Sequence, residues 1–143
     1  MMHPEIAARI RRPEDLLKES LIHDESLDFL PDPPSWDRWL AEAGIAHPPV
    51  KGAHFTQADH AIDMALEGGG VALGRSSIAG MALRSGALVA PFRLALTTDA
   101  HYRLVCPRGH EDHPPIARFR DWIGAEMAPD RALAEAHDLV HIG

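Results

Sequence analysis

Apolar residues along this 143-residue chain recur with helical and strand-like spacings. Ala58, Ala61, Ile62 and Ala65 stand at i, i+3, i+4 and i+7, one face of an α-helix. Asp59, Asp63 and Glu67 fall four apart on another face, as a solvated stripe would. The spacing predicts a helix over 58–67 with Thr56 placed to cap it. Gly68-Gly69-Gly70 stops the helix, because glycine takes the left-handed cap at no steric cost. Ala53–Phe55 before it and Val71–Gly74 after it read as short strands. Strand, helix and returning strand make a βαβ unit, which implies a parallel sheet.

Shorter patterns flank this unit. Ile6 and Ile10 share a face of a helix over 5–10, and Pro13 suits the first position of a turn anchored by Leu16 and Leu17. Leu21-Ile22-His23 reads as a strand ending in Asp24-Glu25-Ser26. Ser35 is a plausible N-cap for a helix bearing Trp36, Trp39, Leu40 and Ala43, closed by Gly44. His47–Lys51 is a proline loop. Ser76 or Ser77 caps a helix carrying Ile78, Met81, Ala82 and Leu83, ended by Gly86. Leu88–Phe92 and Tyr102–Cys106 read as strands. Pro114-Pro115 opens a helix whose apolar face is Ile116, Phe119, Ile123 and Met127, with Trp122 beside it and Pro129 ending it. Residues 129–143 read as a C-terminal tail.

Several stretches, in order, carry a family resemblance: LIHDES (21–26), SWDRWLAEAGI (35–45), GAHFTQADHAIDMALEGGGVALGR (52–75), LRSGALVAPF (83–92), YRLVCPRG (102–109) and IARFRDWIGAEM (116–127). Together they resemble the effector-binding region of LysR-type bacterial transcriptional regulators, in particular the branch of the glycine-cleavage and β-lactamase-induction regulators. The resemblance covers about residues 1–128. It implies an α/β, periplasmic-binding-protein-like (type 2) lobe, with a mixed, mainly parallel sheet flanked by helices. Lobe II would occupy about 3–93, and a return segment toward lobe I about 100–128. It also implies that the chain starts inside the regulator domain, without most of lobe I and without the N-terminal winged helix-turn-helix that binds DNA. Antiparallel pairing of such domains makes a homo-oligomer the expectation, with Phe119, Trp122, Ile123 and Met127 lacking their usual partner surface.

Composition narrows the function. Lys+Arg number 14 against 21 Asp+Glu, a net charge of −7, and only Lys18 and Lys51 are lysines. An acidic chain without a basic stripe does not look like a DNA-binding surface. Cys106 is the only cysteine, so no disulfide framework forms within the chain, which suits a reducing cytoplasm. No apolar run approaches the ~18 residues of a membrane helix, and the first residues lack a signal-peptide core.

No catalytic constellation emerges, and no cofactor or metal is implied. The glycines at 68–70 follow a helix and precede a strand, the reverse of a dinucleotide fingerprint. His110-Glu111-Asp112-His113 and His137-x-x-x-His141 invite a metal reading, the latter as two imidazoles on one helix face, but neither has a third ligand at recognisable spacing. Cys106 sits in an apolar run and reads as a buried, inert thiol. Ligands of open α/β sheets bind outside the carboxyl ends of the strands. Thr56-Gln57 lies at such an end and opens a helix, whose free N–H groups suit a carboxylate. The resemblance implies the same junction, Phe55-Thr56-Gln57, as a contact for a small, often anionic, effector. His23, Asp24, Arg75, Ser76, His101 and Tyr102 lie at other strand ends and are further candidates for the same cleft. A stand-alone binding protein or an enzyme on this scaffold is the alternative.

Overall fold

The computed structural model describes residues 1–46 and 50–142; 47–49 of the expected proline loop lie outside the described residues. Leu21–Asp24 (β1) is the middle of a three-stranded sheet, with His54–Phe55 (β2) on one side and Val71–Ala72 (β3) on the other. Both pairings are parallel, as the βαβ pattern requires, but β1 is inserted between the two strands of that unit. Leu21 pairs with Val71 and Ile22 with Ala72. Successive side chains of a strand point to opposite faces, so the two pairs feed two different cores. Leu21 and Val71 join Ile6, Leu16, Trp36, Trp39 and Leu40. Ile22 and Ala72 join Ala61, Ile62, Ala65, Ala79 and Leu88. Helices Pro4–Ala7 (α1) and Trp36–Glu42 (α2) therefore cover one face, and Ala58–Leu66 (α3) and Ser76–Ser85 (α4) the other.

The apolar face of α3 is buried at all four expected positions. Its end is a Schellman motif: the Gly69 N–H donates to Met64 O at 2.9 Å and the Gly68 N–H to Ala65 O at 3.1 Å. Gly68 sits at φ +74°, where a side chain would be strained. At the other end Gln57, not Thr56, is the N-cap, and it makes no side-chain cap bond. Ser35 does cap α2, its hydroxyl accepting from the Arg38 N–H at 3.2 Å.

Four further expectations fail. The buried face of α4 is Ala79 and Gly80, while Met81 is 76% exposed. Helices pack closely on α4 from α3 and from the C-terminal segment, and small residues permit that approach. Leu88–Phe92 is not a strand: Val89 exchanges two 2.9 Å hydrogen bonds with Met2 in one antiparallel bridge, and Pro91 has no N–H to extend it. Tyr102–Cys106 has no ladder partner among the described residues and is largely exposed, leaving Cys106 half-buried rather than inside a core.

The fourth failure is the tail. Pro114–Glu126 (α5) runs as expected, but Pro129 opens a further helix, Ala128–Glu135 (α6), instead of closing the fold. Proline in a first turn removes only an N–H that has no helical partner anyway. Asp138–His141 (β5) then pairs in parallel with Leu94–Thr97 (β4) over four register positions, from Leu94↔Asp138 to Thr97↔His141. A parallel pair needs a long crossover, and here α5 and α6 supply it. His137 ends up in the turn after α6 and His141 in β5, so they do not share a helix face.

Candidate functional site

The carboxyl ends of β1 and β3 open into a cleft of about 630 Å³. Asp24 and Ser26 line it from the end of β1, and Gly74 to Ser77 from the end of β3. Trp36 and Trp39 reach it from α2. Both indoles are anchored, Trp36 Nε1 donating to Ile22 O at 2.9 Å and Trp39 Nε1 to Leu94 O at 3.1 Å. The second bond ties α2 to β4. Residues 94–98, His101 and Tyr102 form the side facing the sheet ends, and Leu133, His137 and Leu139 complete the lining.

Arg75 is the cationic centre of this cleft. Its Nη2 donates to Ser26 Oγ at 2.9 Å and its Nη1 to the Tyr102 hydroxyl at 3.3 Å. Asp24 Oδ2 lies 3.7 Å from Nη2, on a side chain only 9% exposed. Asp24 is itself oriented by the Ser26 N–H, which donates to Oδ1 at 2.9 Å. Arg75 Nε is buried with no protein partner among the described residues. A guanidinium offers five donors in a rigid fork, and this one is held in place with donor capacity to spare. The rest of the wall is mostly apolar, so a ligand entering here meets the Arg75 guanidinium, with Asp24 beside it, in a partly dehydrated setting.

Of the nine residues singled out in the sequence, the cleft brings together Asp24, Arg75, Ser76, His101 and Tyr102. It does not take in Phe55, Thr56 or Gln57. β2 lies across β1 from β3, with its carboxyl end on the same edge of the parallel sheet; Phe55 packs on the second core, and Thr56 and Gln57 face solvent. His23 lines a separate cavity of about 130 Å³ together with Glu25 and His54. The His23 and His54 rings stack at 4.2 Å across the β1–β2 register, and His54 Nδ1 is 2.7 Å from Glu25 Oε1. Burial, and then the neighbouring His54, lowers the His23 pKa, against the opposing pull of Asp37 and Glu25.

Sequence reasoning missed Ser26, read only as punctuation after β1, and the lining from α6 and β5. Leu133 and His137 stand four apart, a one-face spacing that was available in the segment read as a tail. Among the described residues no group of three or more His, Cys, Asp or Glu could hold a metal ion. None of the described helices is long and apolar enough to cross a membrane.

Sequence and structure comparisons agree with this architecture. Residues 1–128 match the LysR substrate binding domain family. The HTH-type transcriptional activator AmpR of Citrobacter koseri is 33% identical over 120 residues, which are 84% of this chain and 39% of that protein. The glycine cleavage system transcriptional activator of Escherichia coli (strain K12) is 32% identical over 123 residues, 85% of this chain and 38% of that protein. The chain thus spans about two fifths of the length of these relatives. The X-ray structure of the effector domain of the transcriptional regulator AmpR of Pseudomonas aeruginosa superposes with a TM-score of 0.56 at 22% identity, over 94% of this chain and 61% of that one. That likeness concerns the fold, an α/β periplasmic-binding-protein-like arrangement. By the family match, and by relatives that are transcriptional regulators, this chain belongs to the LysR substrate binding domain family.

Proposed function

We propose that this chain is the ligand-sensing part of a LysR-type regulator and that it binds a small anionic effector in the cleft, with Arg75 as the anchor. The observation that carries this reading is the Arg75 guanidinium, fixed by Ser26 and Tyr102 at a strand end inside the cleft. Ser76 and Tyr102 offer hydroxyls beside it, and Asp24 sets its orientation. DNA contact would belong to a winged helix-turn-helix module of the whole regulator, with effector binding shifting the DNA-bound oligomer. Thermal-shift and calorimetric titration with a panel of small carboxylates tests the reading. Stabilisation by at least one carboxylate, lost in Arg75→Met and weakened in Arg75→Lys, is the expected result. Equal binding by Arg75→Met would sink it.

Self-association is a second part of the proposal. Phe119 and Trp122 on α5 are 48% and 54% exposed, and exposed apolar side chains grouped on one face tend to find partners. Light scattering across a dilution series should give a mass above 15.7 kDa at tens of micromolar, and Phe119→Ser with Trp122→Ser should lower it. A concentration-independent monomer would remove this part.

A further inference from the structure

One wall of the cleft comes from residues outside the family match. That match ends at 128, whereas Leu133, His137 and Leu139 belong to α6, the turn after it and β5. They are held against the cleft at two places. On α6, Asp130 pairs with Arg84 of α4, and its carboxylate occupies the space that a Cβ at Gly80 would need. On β5, the Asp138 N–H donates to Arg93 O at 2.7 Å and the Ile142 N–H to Thr97 O at 2.8 Å, with Ile142 fully buried. The wall is therefore docked through both helix and strand and is not a loose end.

His137 is oriented as well. Its Nδ1 lies 2.8 Å from the Leu133 carbonyl oxygen. A carbonyl only accepts, so Nδ1 carries a proton, and in the neutral tautomer that this bond selects Nε2 is the acceptor. The cleft then combines three features: a guanidinium at the sheet end, apolar surface from Leu133 and Leu139, and an imidazole held in one tautomer.

We propose that the α6–β5 segment is the specificity wall of the cleft. Leu133 and Leu139 hold the apolar body of the ligand, and His137 Nε2 accepts a hydrogen bond from it. This rests on the reading above that Arg75 holds the anionic end. The ligand class that follows is an amphipathic anion carrying an N–H or O–H donor away from its charge, not a bare inorganic anion.

Two probes separate these contacts. 8-Anilinonaphthalene-1-sulfonate has a sulfonate, an apolar body and an anilino N–H; 1-naphthalenesulfonate has the first two only. Both are titrated against the full chain and its variants by isothermal titration calorimetry, with melting temperature as the folding control. Expected results are loss of both probes in Arg75→Met, weakening of both in Leu133→Trp, and in His137→Leu a drop of about 3- to 10-fold for the anilino probe only, the worth of one neutral hydrogen bond. If Leu133→Trp destabilises the chain, Ala134→Trp replaces it. Wild-type affinity of both probes in the 133 (or 134) and 137 variants, with Arg75→Met still defective, overturns the wall while leaving the Arg75 site intact. Unchanged binding in Arg75→Met strikes the underlying reading instead.

Discussion

Two helices of this protein carry the same kind of apolar spacing and meet opposite fates. α3 buries Ala58, Ala61, Ile62 and Ala65 against the β1-centred sheet. α5 presents Ile116, Phe119, Ile123 and Met127 at helical spacing and buries none of them completely. Their sheets differ in the same way. β1 has a neighbour on each edge, whereas among the described residues β4 and β5 have only each other. Periodicity says which side of a helix is apolar; covering that side needs another element at the right distance. α3 has one in β1 and β3, and α5 has little beyond α6.

A charge placed on each helix would break this contrast most sharply. Ile62→Asp puts an unpaired carboxylate where the side chain is 6% exposed, at a cost of about 3–5 kcal/mol, and should leave little folded protein. Ile123→Asp, on a half-buried position of α5, should cost about 1 kcal/mol. Urea midpoints measure both, and equal losses would mean that α5 is as well covered as α3.

The next effect tests the docking of α6. Gly80→Val should cost about 1–3 kcal/mol, because the new side chain collides with Asp130. Hydrogen exchange should show the damage in α6 and β5, with β1 and α3 retaining protection. Uniform loss would mean that the two regions fold as one cooperative unit.

Smaller still is the difference between two helix starts. Ser35→Ala removes a real cap bond and should cost about 1 kcal/mol. Thr56→Ala removes no helix bond and should fall within about 0.5 kcal/mol of wild type. Differential scanning calorimetry resolves the pair, and a larger loss at Thr56 would restore it as the cap.

Titration of the β1–β2 seam is the subtlest probe. The folded state lowers the His23 pKa, first through burial and then through His54. Folding therefore favours the neutral ring, and stability should decline as pH falls below about 6.5, the unfolded value. The loss continues until pH passes the lower folded pKa. Asp15 acts in a separate window. The Lys18 hydrogen bond, aided by the Arg11 N–H, lowers its carboxyl to about 2, so its contribution is present above the ordinary carboxylate range and is lost as pH falls toward that value. Unfolding curves between about pH 5 and 8 should show a slope that His23→Gln flattens; an unchanged slope would clear His23 of the effect.

The sheet that builds the cleft was legible because its signals are local. The i, i+3, i+4, i+7 face of α3, the glycines after it and Ser35 before α2 each act within a few residues. Asp24, Arg75, Ser76 and Tyr102 were found as strand-end positions, and the structure gathers them in one cleft. What escaped depended on distant partners. The phase of α4 is set by Asp130 on α6, a residue 46 positions after Arg84 in the chain. β5 is a strand because β4 lies alongside, and its burial pattern is too exposed to announce one. Phe55, Thr56 and Gln57 are not in the cleft's lining, and the order that sets β2 across β1 from β3 is one that no single window of sequence encodes.

The central place of β1 has a consequence in time. Its partners arrive only later in the chain, β2 at His54–Phe55 and β3 at Val71–Ala72. At a synthesis rate of roughly 5–20 residues per second, the gap from β1 to β3 corresponds to several seconds. Until β2 emerges, Leu21 and Ile22, both destined for full burial, stand on a strand with two open edges, and until β3 emerges one edge stays open. Parallel pairing cannot be hurried by a hairpin, since each partner must come back through a crossover. The strand that becomes the middle of the sheet is thus one that a nascent chain must shield for seconds.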